Sequence, residues 1–251
     1  MKDHVSYSQF NMYETCPKQW DFNYNIYVDL PKKDFWHLVL GTAYHEAIES
    51  LYLNGDIRAT MDKFTAVVKE KIADSSLNNG YCSEKTRLQE SEQMIMNITY
   101  YYNNIYQLYK NIVKGVELEE NLLVDGIDIP IQLRIDLLTN DDRIIDHKTI
   151  GKSDLDINEN RQLLLYSYWF FQTHHVMPRQ VELHKCYKES FRGSFVVVDA
   201  LQPSKIDMFK FIDELRFTYS KMVGKKHYPR ISKLCKFCPF REQCDKEYEN
   251  I

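Results

Sequence analysis

One cysteine, Cys16, stands near the start of this chain, and three more, Cys235, Cys238 and Cys244, stand near its end in a C-x2-C-x5-C group. This one-plus-three arrangement constrains the fold more than any other feature. A metal or cluster bound by all four thiols would tie the two ends together across almost the whole sequence. Closing so long a loop restricts the unfolded chain, and metal binding adds directly to folding free energy. The thiols must stay reduced for this, and the sequence fits that need. The start, Met1-Lys2-Asp3-His4-Val5-Ser6, is polar and lacks the apolar stretch of a secretory signal. No run approaches the roughly 20 apolar residues of a membrane span. The expected location is the cytoplasm, or the host cytoplasm for a viral protein. There clustered cysteines mean metal or redox chemistry rather than disulfides. Cys82 and Cys186 read as ordinary buried or partly buried thiols.

At 251 residues, 44% of them apolar, the chain can bury a real core. Its formal net charge of −4 gives no global nucleic-acid signal, so the distribution of charge matters more than the sum. From Lys221 to Arg241 there are seven Lys or Arg and no Asp or Glu. Lys225, Lys226, Arg230, Lys233 and Lys236 in this run surround the cysteine group. An isolated basic run is usually a solvated face, but its overlap with clustered cysteines points to phosphate binding.

Ser6-Tyr7-Ser8-Gln9 has the pattern of a helix-start capping box, with Ser6 as N-cap. The helix then runs to about Tyr24 and carries Cys16. Further helices are expected over about Asp34–Leu53, Ile57–Ala73 and Ser83–Ile112. Val116–Val124, Ile127–Leu138 and Arg143–Lys148 read as strands, with Asp125-Gly126 as a hairpin turn. Asn160–Thr173 returns to helix. Gln180–Tyr187 and Ser194–Val198 are strands joined through Arg192-Gly193. Pro203–Val223 is a last helix before the basic, cysteine-bearing tail. The order suits one α/β domain with a helical N-terminal part. It divides into a mainly helical stretch (1–113), a core (114–223) and a tail closing on Cys16 (224–251).

Asp146 and Lys148 are two apart on an expected strand, so both side chains leave the same face. Asp136 lies on the preceding strand, across a turn. Two carboxylates and a lysine gathered on one sheet edge suit metal-assisted phosphodiester hydrolysis. Magnesium binds through one or two carboxylates and keeps its other positions for water and substrate phosphate. A lysine there orients the attacking water or neutralises transition-state charge. A lone D-x-K is more often an exposed pair of charges on a half-buried strand. Asp136 and the cysteines shift the balance. His45 sits within a regular amphipathic helix; such a histidine is usually structural, but an imidazole also serves manganese or magnesium. Gln162 and Tyr166 are four apart and share a helix face, although Tyr166 also has the neighbours of a core residue.

Taken in order, several motifs resemble a known family. They are the helix with Cys16-Pro17, then Gly41-Thr42-Ala43-Tyr44-His45-Glu46, then Asp136, then Asp146-His147-Lys148-Thr149. After them come Gln162-x3-Tyr166 and Cys235-x2-Cys238-Pro239…Cys244. The chain resembles the RecB-type nucleases of the PD-(D/E)XK superfamily, over nearly its whole length. More narrowly it is similar to the iron–sulfur subgroup, which includes CRISPR-associated adaptation exonucleases, the AddB nuclease domain and phage relatives. The resemblance implies a restriction-endonuclease-like α/β core with a C-terminal iron–sulfur clasp. It implies a Mg2+ or Mn2+ site formed by His45, Asp136, Asp146 and the backbone carbonyl of His147, with Lys148 as the catalytic lysine. Gln162 and Tyr166 would position the DNA strand and that lysine. Cys16, Cys235, Cys238 and Cys244 would hold a four-iron, four-sulfur cluster. A zinc ribbon instead supplies two close pairs of ligands. The family often has a glutamate before the hairpin, on the strand where Glu117 and Glu119 lie, and the sequence does not tell which of them, if either, reaches the site. The chain departs from the pattern at Leu133, where glycine is usual, and at His147, where an aromatic residue is usual. The histidine places a titratable group beside the expected metal.

The leading expectation is therefore a metal-dependent DNA exonuclease acting on single strands or ends, with the basic tail contacting phosphates. The chain has no phosphate-loop motif, so it would act alone, as a homo-oligomer, or with a separate helicase, recombination or CRISPR-adaptation protein. A non-catalytic DNA-end-binding module serving a helicase or integrase is the alternative. An electron-transfer or sensor protein leaves Asp136, Asp146 and Lys148 unexplained.

Overall fold

The structure is a computed structural model that describes residues 3–29, 35–77, 82–151, 155–191 and 194–249. The chain forms two compact units, neither of them continuous in sequence. One comprises Met1–Lys33, Glu119–Leu133 and Phe209–Ile251, the other Asp34–Leu118 and Arg134–Met208.

The second unit is a helix-covered sheet. Helices α3 (Trp36–Asn54), α4 (Ile57–Ile72) and α5 (Glu84–Tyr101) come first. Their ends follow from local chemistry. Gly55, at φ 70°, closes α3 in the left-handed conformation that glycine adopts freely. Asp56 caps α4 by accepting from the Arg58 and Ala59 amides at 2.8 and 3.3 Å. Ser83 caps α5 through the Thr86 amide at 3.2 Å. The expected long helix 83–112 stops earlier. After Tyr101 the backbone widens into a π turn (Tyr102–Tyr106), then a short α6 (Gln107–Tyr109), and strand β2 (Val113–Leu122) follows. The Asp34 start expected for α3 lies outside the described residues.

Strands β3 (Ile131–Thr139), β4 (Arg143–Ile150), β5 (Gln180–Phe191) and β6 (Ser194–Leu201) follow one another across the sheet. β3 and β4 are antiparallel, as are β5 and β6; β4 and β5 are parallel. A parallel pair needs a crossover, and helix α7 (Arg161–His174) supplies it and packs on β4. β4 is flanked on both sides, which explains why Ile144 to His147 are all buried. It also corrects the expected sheet edge: Asp146 and Lys148 stand on an interior strand. The core joins α3, α4 and α5 to Leu137, Ile145, Cys186 and Val196 of the sheet. Cys186 is buried and Cys82 half-buried, both as free thiols. The Arg192-Gly193 connection lies outside the described residues.

The first unit begins with β1 (Val5–Ser6), which pairs in parallel with the start of β3, Val5 opposite Ile131. The helix expected over 6–24 is broken. α1 (Tyr7–Thr15) ends where Cys16 turns extended (φ −157°, ψ 106°), and α2 (Pro17–Asp21) restarts with Pro17 in its first turn. A residue before proline is pushed out of the helical region, and proline is tolerated where no amide donor is needed. Ser6 is the N-cap residue, but its hydroxyl bonds Ser8 Oγ at 2.9 Å and makes no cap bond. Asp125-Gly126 is a turn, with Gly126 at φ 83° and the Ile127 amide bonding Val124 O at 2.9 Å. β3 starts only at Ile131, four residues later than expected. The tail is not structureless: it carries a 3-10 turn (Lys233–Phe237) and helix α9 (Arg241–Tyr248) after helix α8 (Lys205–Met222).

Candidate active site

The second unit holds a cavity of about 490 Å³ whose lining includes His45, Glu117, Arg134, Asp136, Asp146, Lys148, Gln162 and Tyr166. Each reaches it through the local fold. A Cβ at Gly41 would sit 3.3 Å from Thr149 Oγ1, so the small residue lets α3 approach β4 closely. One turn further along α3, His45 places Nδ1 3.5 Å from Asp136 Oδ1 and 3.8 Å from Glu117 Oε1. In the β3–β4 pairing Leu137 faces Ile145, and continuing that register sets Asp136 opposite Asp146.

Glu117 resolves the choice between two glutamates: it lines the cavity, whereas Glu119 is exposed. Its φ of 47° is left-handed, a conformation that costs a non-glycine residue of order 1–3 kcal/mol. The strand is irregular here, since a Cβ at Gly115 would lie 2.6 Å from the Leu118 side chain. An alternating strand pattern carries no sign of such a kink. Sequence reasoning also missed Arg134, whose Nε donates to Glu117 Oε2 at 2.5 Å, and Asn160, whose amide donates to Asp146 Oδ2 at 3.3 Å. Arg134 lies two residues before Asp136 and so shares its strand face, which was the available signal.

Electrostatics sort the ionisable groups. Burial alone pushes His45 down, but Asp136 and Glu117 outweigh it and raise the ring to about 10. Burial works against ionised Asp136, yet His45 and His147 hold it well below the usual carboxylate range. Asp146 is raised by burial, with the charge on Asp136 adding to the effect and Lys148 opposing it. His45, Glu117 and Asp136 form a group whose ligand atoms all lie within 4.8 Å of one another. One imidazole nitrogen and two carboxylates suit Mn2+ or Mg2+, which leave other positions to water and phosphate.

Lys148 is held by a directional chain. Its Nζ lies 2.9 Å from Asp146 Oδ1 and donates to Gln162 Oε1 at 3.1 Å. The Gln162 amide nitrogen donates to Tyr166 OH at 2.5 Å, and the phenol donates to Arg134 O at 2.5 Å. Tyr166 is buried, as a core residue would be, but its hydroxyl faces the site. The His147 ring does not line the cavity; it is buried behind Asp136, while the His147 amide donates to Asp136 Oδ2 at 2.6 Å. The expected titratable group beside the carboxylates is therefore present, but burial pushes it down and leaves it neutral.

The family model of the PD-(D/E)XK nuclease superfamily matches residues 4–245. The chain belongs to the PD-(D/E)XK nuclease superfamily. A crystal structure from Eubacterium rectale named "Putative exonuclease" shares the fold at TM-score 0.60, with 12% identity over 94% of this chain and 87% of that one. The likeness to the crystal structure of SSO0001 is looser, TM-score 0.36 at 13% identity over 86% of this chain and 89% of that one. No curated protein matches the chain. The superfamily takes its name from a carboxylate and lysine pattern, and Asp136, Asp146 and Lys148 line one cavity here. Among the described residues no helix is long and apolar enough to cross a membrane.

This superfamily member also carries the cysteine group in its first unit. Cys16, Cys235, Cys238 and Cys244 line one cavity of about 430 Å³. The Arg230 amide points at Cys16 Sγ and the Ser232 amide at Cys235 Sγ, each at 3.4 Å. Burial raises the Cys238 thiol, and Cys16 and Cys235 add to the rise. Cys244 is raised by burial, with Cys16, Asp245 and Cys238 adding. A cationic core between the sulfurs would relieve this crowding, so the donor set fits a bound metal group. Lys225, Lys226, Arg230, Lys233 and Lys236 are all exposed.

Proposed function

We propose that this protein is a divalent-metal-dependent DNA exonuclease of the iron–sulfur subgroup, acting on single strands or ends. The observation that supports it most is the convergence of His45, Glu117 and Asp136 within 4.8 Å, in the cavity where Lys148 meets Asp146. His45, Glu117, Asp136 and Asp146 are the candidate ligands for Mg2+ or Mn2+, with the His147 backbone available beside them. A divalent ion bound there lowers the pKa of a bound water and offsets charge on the phosphate. Lys148, fixed by Asp146 and by Gln162 and Tyr166, orients the attacking water and neutralises the developing negative charge. The name of the Eubacterium rectale neighbour is in keeping with exonuclease action.

The four cysteines are proposed to hold a four-iron, four-sulfur cluster. One lone ligand and three grouped ones favour the cluster over a zinc ribbon, which supplies two close pairs. The whole chain is read as one nuclease module with its tail closed on Cys16. The exposed Lys225, Lys226, Arg230, Lys233 and Lys236 are read as phosphate contacts. Tyr228 and Phe237, exposed in the same basic segment, suit the stacking of unpaired bases. A helicase, recombination or CRISPR-adaptation protein, or a second copy of the chain, is the proposed partner class.

Protein purified without oxygen and incubated with end-labelled single-stranded DNA tests the reading. Brown protein that shortens the strand from one end with Mn2+ or Mg2+, and not with chelator, is the expected result. Brown protein that binds DNA ends without cutting would replace the enzyme with the end-binding module. Colourless protein that cuts would replace the cluster with zinc.

The ligand set has its own signature. His45 holds a proton at neutral pH, and a metal needs the neutral ring. Mn2+ binding is therefore expected to release about one proton and to tighten about tenfold per pH unit, until the pH approaches the raised value of the ring. Calorimetry in two buffers of different ionisation enthalpy measures this. Heats that do not depend on the buffer would remove His45 from the ligands.

A further inference from the structure

Behind Asp136 lies a row of polar side chains that neither metal binding nor the Lys148 chain accounts for. His147, Tyr101, His184 and Glu182 are each 2% exposed or less. His147 Nδ1 is 3.5 Å from Asp136 Oδ2. His147 Nε2 is 2.9 Å from Tyr101 OH, which is 3.1 Å from His184 Nδ1. His184 Nε2 is 3.1 Å from Glu182 Oε2. Tyr109 OH donates to the same Glu182 oxygen at 2.6 Å, and Arg143 reaches Glu182 Oε1 at 3.4 Å. The row follows the sheet: His147 and His184 are direct partners across β4 and β5, and Glu182 is two residues before His184 on the same face.

We propose that this row is a buried hydrogen-bond relay that orients Asp136 for metal binding, with Tyr101, His184 and Glu182 as positioning residues. The proposal rests on the reading of Asp136 as a metal ligand.

The two ends of the row have a direction. His147 Nδ1 faces the Asp136 carboxylate and Nε2 faces the Tyr101 hydroxyl. A carboxylate only accepts, so a ring proton sits on Nδ1. Glu182 is held ionised, against burial, by His184, Tyr109 and Arg143, so it accepts from His184 Nε2. Each end of the row therefore turns a ring N–H to a carboxylate, with the Tyr101 hydroxyl between the two rings and Tyr52 OH 3.0 Å from it. At the site end, the His147 amide and ring hold Asp136 Oδ2 and leave Oδ1 turned to His45.

A plain core would not pay this desolvation cost, since apolar residues of similar volume pack as well or better. Groups behind a ligand typically change metal affinity by about 10- to 100-fold. Two measurements on the full chain test the relay. Nitrogen-15 histidine spectra of the metal-free protein should show His147 protonated on Nδ1; protonation on Nε2 alone would turn a ring acceptor to Asp136 and overturn the relay. Calorimetric Mn2+ titrations should show Kd about tenfold weaker in Tyr101→Phe and in Glu182→Gln. Folded Tyr101→Phe within twofold of wild type would make the row purely structural. The wild-type spectrum decides even if a variant fails to fold. Wild-type protein that binds Mn2+ no better than Asp136→Ala would sink the metal reading itself, and the relay with it.

Discussion

Asp146→Ala is expected to lower DNA cleavage by at least about a thousandfold while leaving the fold, the melting temperature and the brown colour in place. The size follows from losing a carboxylate at the centre of charge development, where one preorganised group is worth about 100- to 1,000-fold, together with a metal ligand. The side chain also anchors Lys148 at 2.9 Å, so its loss would remove a proposed ligand and free the lysine together. Stability behaves differently. Burial raises Asp146 above its ordinary value, so its ionised form opposes folding at neutral pH rather than supporting it. Lys148 keeps Gln162 as an acceptor, and it is partly exposed to water. Cleavage rate, thermal melting and the visible spectrum on one preparation check all three points. Cleavage near the wild-type rate would refute the assignment of this carboxylate.

Much of this site was legible because its signals are local. Period-two spacing puts Asp146 and Lys148 on one face, and period-3.6 spacing pairs Gln162 with Tyr166; the folded chain joins both pairs. A short turn between two strands brings Asp136 opposite Asp146. His45 was harder to read, because a histidine in an apolar helix looks the same whether it meets a carboxylate or a core. What brings it in is the close contact of Gly41 with Thr149, a tertiary event.

Other features depend on interactions that strand and helix patterns do not encode. Glu117 reaches the cavity through a left-handed backbone angle, so alternation could not choose between it and Glu119. The interior place of β4 comes from a parallel partner about 40 residues downstream, through the α7 crossover, which no hairpin signal announces. The break at Cys16 was available in the following Pro17 and was outweighed by the helical pattern on both sides. α9 was missed because it has no apolar face to detect: it buries no residue.

That last point carries the second large effect. The 3-10 turn over Lys233–Phe237 also buries no residue, and Ile231 stands 90% exposed. Phe240 packs against Phe22 at 5.7 Å, His227 against Trp20 at 5.2 Å, and Lys18 to Glu247 at 2.9 Å is one of this segment's ion pairs. Surface ion pairs are worth about 0–1 kcal/mol each, and one aromatic contact adds about 0.5–1.5 kcal/mol beyond its buried area. Such ties do not fix some twenty residues against their conformational entropy of about 1–2 kcal/mol each. The proposed ligation of Cys235, Cys238 and Cys244 together with Cys16 would supply what burial does not, because metal binding adds directly to folding free energy. Cys238→Ala is therefore expected to lose the iron and the brown colour and to melt on the order of 10 °C lower, as a loss of several kcal/mol implies for a chain of this size. Cleavage should fall with it. The pattern is the converse of Asp146→Ala, which loses chemistry and keeps colour and stability. A Cys238→Ala protein that held no iron and melted with the wild type would show that the segment is fixed without the cluster.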